Sequence, residues 1–200
     1  MAAQKNLRIA LAGKPNAGKS SLFNLLTGLN QKIGNFPGIT VDKRTGHCQI
    51  SAEITAQVMD LPGIYSLYPR TIDEKIVTDI LADRNGVYYP DCVVLVADAT
   101  NLKNCMLLLT QLIDLKIPTV LALNMMDLAA RSGQNIDVQA LAVALDLPVV
   151  MINARTGQGV VELKNLLATS VIPSSKTIYK VGEEIEPLVK DIQQKFNLST

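Results

Sequence analysis

Residues 13–20 constrain this chain more than any other stretch. They read Gly13-Lys14-Pro15-Asn16-Ala17-Gly18-Lys19-Ser20 and fit the phosphate-loop pattern G-x-x-x-x-G-K-[ST] at every required position. The context agrees. An apolar run, residues 7–12, precedes the loop and suits a buried strand, while residues 21–26 suit a helix that stops near Gly28. In such a strand–loop–helix unit, glycines let backbone N–H groups curl around phosphate oxygens, and the helix aims its positive end at them. Lys19 would reach the β- and γ-phosphates, and the Ser20 hydroxyl would hold Mg²⁺.

Three further segments narrow the nucleotide. Residues 58–63 end an apolar strand in Asp60 and place Gly63 three positions on, a D-x-x-G spacing. Its carboxylate can hold Mg²⁺ through water, and its glycine N–H can sense a γ-phosphate. Residues 120–127 form a second apolar run ending in Asn124-Met125-Met126-Asp127. A carboxylate at Asp127 can accept two hydrogen bonds from N1 and N2 of guanine. Adenine lacks that donor pair and would leave the charge unmatched, so it should be rejected. Residues 149–155 form a third run leading to Asn153, Ala154 and Arg155, where a small residue lets the backbone approach the guanine oxygen.

In this order the segments resemble a Ras-like GTPase domain. More narrowly, GKPNAGKSSLFN (13–24), GNFPGITVDK (34–43), DLPGIYSL (60–67) and NMMD (124–127) resemble the cytosolic G domain of the ferrous-iron transport protein B family, over residues 5–170. The resemblance implies a GTP- and GDP-binding, GTP-hydrolysing domain at the cytoplasmic face of a bacterial inner membrane. Its partners would be the membrane-spanning part of the same transporter and small accessory proteins; oligomeric state is left open. It implies nucleotide contacts from Gly13, Lys14, Pro15, Asn16, Ala17, Gly18, Lys19, Ser20 and Ser21, and from Gly38, Thr40, Asp60 and Gly63. On the base side it implies Asn124, Met125, Asp127, Asn153, Ala154 and Arg155. Mg²⁺ would take Ser20 and Thr40 as direct ligands and Asp60 as an indirect one. Residues 30–45 would be switch I and residues 62–70 switch II.

Three departures from related GTPases matter. Ile64 follows Gly63, where Ras-like proteins place a water-orienting glutamine, and isoleucine has no donor or acceptor. The resemblance implies that K⁺ supplies the missing positive charge, held by Asn16 and by backbone carbonyls of residues 35–38. The catalytic set is then Lys19, Asn16, Thr40 and Gly63, with a slow intrinsic rate. Met125 stands where a lysine usually covers the guanine plane, and Asn153 replaces the usual serine. Two other classes stay open: an RNA- or ribosome-associated K⁺-dependent GTPase, and a non-catalytic GTP-sensing module.

Charge and hydropathy bear on those classes. A net charge of +1 offers no broad basic face for nucleic acid. There is no run of 18 apolar residues to span a bilayer. Cys48, Cys92 and Cys105 are isolated on apolar segments, and read as buried thiols of a reducing compartment. His47 is the single histidine, and no His/Cys/carboxylate cluster is spaced to bind iron.

Strand and helix patterns alternate along the chain. Residues 46–50 and 54–59 should form a hairpin. Thr71 and Glu74 form a capping box that opens a helix to about residue 83. Further helices are expected at 101–115, from 137, and at 159–168. Six strands and five helices give an α/β fold of Ras-like type: a mostly parallel sheet with one antiparallel strand, and ligand at the carboxyl ends of the strands. Residues 1–170 form the expected G domain. Residues 171–200 are expected to be a linker and the start of a truncated helical domain, with Ile185, Leu188, Val189, Ile192 and Phe196 at helical spacing.

Overall fold

The computed structural model describes residues 5–28, 31–36, 42–169 and 171–179. The amphipathic segment 183–196, Gly38 and Thr40 lie outside the described residues.

The elements run β1 (Lys5–Ala12), α1 (Lys19–Thr27), β2 (Gln31–Asn35), β3 (Asp42–Gln49), β4 (Ile54–Asp60), α2 (Ile72–Ala82) and β5 (Cys92–Asp98). A 3₁₀ turn (Ala99–Asn101) leads to α3 (Lys103–Asp114), β6 (Thr119–Asn124), α4 (Met126–Arg131), α5 (Val138–Leu145), β7 (Val149–Met151) and α6 (Val160–Ala168). They build a sheet of order β2-β3-β4-β1-β5-β6-β7. β1 pairs in parallel with β4 and β5, and the parallel pairing continues through β6 to β7. β3 runs against both its neighbours. Among the described strands it alone is reversed, in keeping with the hairpin pattern.

The sequence reading is short by one strand and one helix. β2 lies within the segment read as a polar loop. It is an edge strand whose one large apolar side chain, Ile33, is 69% exposed, so no alternation marks it. α4 has six residues, too few to display a helical period.

Alternation along β1 divides the core. Ala10 and Ala12 face the layer of α2 and α3, together with Leu108, Leu109 and Leu112, while Ile9 and Leu11 face α1 and α6 with Leu22, Phe23 and Leu163. Each fully buried Leu or Ile contributes about 1.5–3 kcal/mol. α2 starts at the predicted cap: the Glu74 N–H donates to Thr71 Oγ1 at 3.2 Å. The returning bond goes one residue earlier than in the usual box, with the Arg70 N–H donating to the Glu74 carboxylate at 2.7 Å.

Residues 171–179 have no regular secondary structure, but they are tied down. The Ser174 hydroxyl is buried and donates to the Leu145 carbonyl at 2.9 Å. The Ser175 N–H and hydroxyl donate to Asp146. The N–H groups of Ile178 and Tyr179 donate to Asp114 at 2.7 and 3.1 Å. Lys116 Nζ donates into the carbonyls of Ser174 and Lys176. Among the described residues no helix is long and apolar enough to cross a membrane.

Candidate functional site

The carboxyl ends of β1 and β4 to β7 converge on the phosphate loop. Three residues there take left-handed or neighbouring φ values: Gly13 (139°), Asn16 (62°) and Gly18 (102°). A Cβ at Gly13 would lie 2.4 Å from the Val96 carbonyl oxygen, so that position has room only for glycine. Gly18 caps α1, whose first residue is Lys19. The side chain of Lys19 is buried, and its ammonium donates to the Lys14 carbonyl at 2.9 Å. Burial pushes its pKa below the usual lysine value, with Asp60 partly opposing the shift.

Asp60 ends β4 beside α1. Its Oδ2 accepts from the Ser20 hydroxyl at 2.9 Å. Oδ1 is buried and has no hydrogen-bond partner. Burial pushes this carboxyl up, against the Ser20 hydrogen bond and the charges of Lys19 and Arg44. A buried carboxylate oxygen without a partner, next to a hydroxyl, suits a hard divalent cation with oxygen ligands. The residues present therefore fit Mg²⁺. Lys19 and the loop N–H groups around it fit phosphate.

These groups face one cleft of about 610 Å³, lined by Pro15, Asn16, Lys19, Ser20, Asp42, Arg44, Asp60, Leu61, Pro62, Gly63 and Asp73. Ile64 is absent from its wall: that side chain is fully buried in the core layer of α2 and α3. Asp42, Arg44 and Asp73 were not anticipated. Arg44 pairs opposite Asp60 in the β3–β4 register, so the two side chains stand on one face of the sheet. The hairpin pattern carried that information once its register was fixed.

The base-side residues sit apart from the cleft. Asn124 is buried and works as a tie: its Nδ2 donates to the Ala17 carbonyl at 2.9 Å, and its Oδ1 accepts from the Ala154 N–H at 3.1 Å. A Cβ at Gly18 would lie 2.2 Å from that same Nδ2. Met125 is half-buried at φ 64°, and it turns the chain so that Asp127 stands exposed in the first turn of α4. The Asn153 carboxamide accepts from the N–H groups of Arg155 and Thr156 at 3.0 and 3.2 Å, which closes the loop without a serine. Ser21 is exposed at the start of α1. Lys14 turns its side chain to Asp98, 3.1 Å away, a partner that the sequence did not reveal. Cys48, Cys92 and Cys105 are buried free thiols. Burial pushes Cys92 up to about 12 and Cys105 to about 11. Among the described residues no cluster of three or more His, Cys, Asp or Glu side chains is placed to hold a metal ion.

A family model described as ferrous iron transport protein B matches residues 7–167. The Fe(2+) transporter FeoB of Leptospira biflexa is 36% identical over 197 residues, 98% of this chain but 28% of that protein. The chain thus spans about a quarter of the length of such relatives. The crystal structure of the G domain of T. maritima FeoB is 39% identical, with a TM-score of 0.74 over 82% of this chain and 97% of that one. The cytosolic domain of T. maritima FeoB in its GMPPNP form is 36% identical, with a TM-score of 0.85 over 97% of this chain and 75% of that one. The chain belongs to the ferrous iron transport protein B family and corresponds to its N-terminal, Ras-like G domain.

Proposed function

We propose that this chain binds and hydrolyses GTP and couples that cycle to ferrous iron uptake by a transporter in the bacterial inner membrane, from the cytoplasmic face. The observation that carries the proposal is the cleft holding Lys19, Ser20 and Asp60. Its ammonium and carboxyl are both pushed by burial toward neutrality, and Asp60 Oδ1 lacks a partner. Phosphate oxygens and a divalent cation would supply the missing charges. A T. maritima relative solved in a GMPPNP form and an S. thermophilus relative bound to GDP support a guanine nucleotide. The membrane-spanning remainder of the transporter and small accessory proteins are the proposed partners. The proposed division is a G domain over 1–170, followed by a linker and the start of a helical domain over 171–200.

The chemistry needs positioning and charge neutralisation more than covalent work. Lys19 leaves the Lys14 carbonyl for the β- and γ-phosphates. Loop N–H groups and the α1 N-terminus hold the same oxygens. Ser20 and Thr40 would hold Mg²⁺ directly, with Asp60 behind them, and the bound ion would neutralise charge between the β- and γ-oxygens. Asp127 accepts from the guanine N1 and N2 groups, while Met125 and Ala154 flank the base. Gly63 offers its N–H to the γ-phosphate. No side-chain donor at position 64 orients water, because Ile64 is in the core. Asn16 lines the cleft and is the proposed K⁺ ligand.

Single-turnover hydrolysis with Mg²⁺, in K⁺ and in Na⁺ at equal ionic strength, tests this. The rate should be about tenfold or more higher in K⁺, because a fixed charge in a partly dry site stabilises the transition state. Asn16→Ala should lose most of that gain while GTP still binds. Equal rates in both salts would remove K⁺ from the mechanism. Binding without any turnover would favour a GTP-sensing module, the reading that the buried Ile64 supports.

A further inference from the structure

We infer that the Lys14–Asp98 ion pair is a positioning device that ties the phosphate loop to the base-side elements and slows nucleotide release. The inference rests on the nucleotide-binding reading above.

Lys14 occupies a position that the phosphate-loop pattern leaves free. Its ammonium is 3.1 Å from Asp98 Oδ2, with the two side chains only 13% and 15% exposed. Removing one partner of so sheltered a pair leaves the other charge unmatched. Asp98 also accepts from the N–H and hydroxyl of Thr100, at 2.9 and 2.6 Å. The Thr100 carbonyl in turn accepts from Gln134 Nε2 at 3.0 Å, just beyond α4. At the other end, the Lys14 carbonyl accepts from Lys19 Nζ. One polar chain therefore runs from the phosphate loop at Lys14 through Asp98, Thr100 and Gln134 to the end of the helix that carries Asp127, and it does not depend on the Lys19 bond, which nucleotide would replace.

A second tie lies alongside it. Asp98 and Asn124 are register partners at the ends of β5 and β6, and Asn124 holds the Ala17 carbonyl. One strut fixes the loop at a point. Two struts, at Lys14 and at Ala17, fix its orientation relative to the base side. Opening the site to let nucleotide leave must strain both. Loss of this strut from its Asp98 end should therefore speed release more than it alters chemistry, because Lys14, Lys19 and Asn16 remain.

The test uses the full chain and its Lys14→Met, Asp98→Asn, double and Lys14→Arg variants. The readouts are stopped-flow release of a fluorescent GDP, single-turnover GTP hydrolysis, and the thermal midpoint without nucleotide. Each single variant should release GDP about tenfold faster, within the usual coupling range for contacting charges. The double variant should be no faster than either single one. Lys14→Arg should restore release to within about twofold, and in Asp98→Asn, which leaves the phosphate loop itself intact, hydrolysis of bound GTP should change less than about threefold. Gln134→Ala, at an exposed position, should give a smaller acceleration and serves if the charge variants fail to fold. Unchanged release, single effects that add in the double variant, or a lowered midpoint with wild-type release would overturn the inference. A wild-type chain that binds no guanine nucleotide would overturn the functional reading first, and is read before any variant.

Discussion

Gly63 rests directly on Pro15: a Cβ at position 63 would lie 2.7 Å from the Pro15 backbone nitrogen and 2.8 Å from its Cγ. The next N–H, from Ile64, donates to the Gly13 carbonyl at 3.1 Å. Two contacts thus join the D-x-x-G segment to the phosphate loop. Gly63→Ala must separate them. If the Gly63 N–H serves the γ-phosphate, as proposed, GTP affinity is expected to fall about tenfold relative to GDP affinity. Titration with fluorescent analogues of both nucleotides measures this, and an equal loss for both would count against a γ-phosphate role.

Ile64→Ala separates packing from chemistry. The side chain is fully buried among Leu61, Ile76 and Leu109 and their neighbours. Truncation should cost about 2–5 kcal/mol of stability, from lost burial plus the cavity. Hydrolysis per folded molecule should stay within about tenfold, because no polar group is removed. Urea unfolding and single-turnover rates together check both halves. A rate loss of several orders with stability intact would show a chemical role for this residue.

Asp127→Ala should cost roughly 2–5 kcal/mol in GTP binding, the usual loss when a hydrogen-bonded charge is truncated. Competition between GTP and ATP provides the readout. The wild type should strongly prefer GTP, and the variant should lose most of that preference.

Asp60→Asn fills the place of a carboxylate whose Oδ1 has no partner. The variant should unfold at a higher temperature without nucleotide, because a buried charge is removed. It should also need much more Mg²⁺ for tight GTP binding. Calorimetry with and without chelator tests the two effects, which have opposite signs.

Acid should expose a different group. Burial pushes Asp98 up, but the Thr100 hydroxyl, Lys14 and the Thr100 N–H outweigh it and hold the carboxyl below its ordinary 3.8. Hydrogen bonds from Ser175 hold Asp146 below 3.8 as well. A depressed pKa gives stability that is complete above the unfolded value and is lost as pH falls through the folded one. The thermal midpoint should therefore fall as pH drops below about 4, with Asp98 the sheltered contributor. Asp98→Asn should flatten that acid limb, and an unchanged slope would contradict the assignment.

What the sequence displayed was whatever is written locally. The phosphate loop lies within eight consecutive residues, and each of β4, β6 and β7 leads into its motif, so the strand ends were legible. β2 was not legible, because its partner supplies the order: Gln31 to Asn35 gain strand geometry from β3, not from their own side chains. Lys14 and Asp98 are far apart in the chain, and only the neighbouring positions of β1 and β5 bring them together. Ile64 could be read as lacking a hydrogen-bonding group, but its direction into the core depended on where α2 packs. The N-x-x-D spacing placed Asn124 at the base side, but not the ties its side chain makes to the Ala17 carbonyl and the Ala154 N–H, which depend on how the phosphate loop and the loop after β7 pack.

The ties on residues 171–179 set where force can enter or leave this domain. Asp114 and Lys116 precede β6, and Leu145 and Asp146 precede β7, so the strap is anchored where those strands begin. The phosphate loop and Asp127 lie where the strands finish. Six residues of β6 at about 3.3 Å each put roughly 20 Å of sheet between the two poles. A load applied at Tyr179 would therefore reach the phosphate-loop end through hydrogen-bonded strands instead of a slack tether.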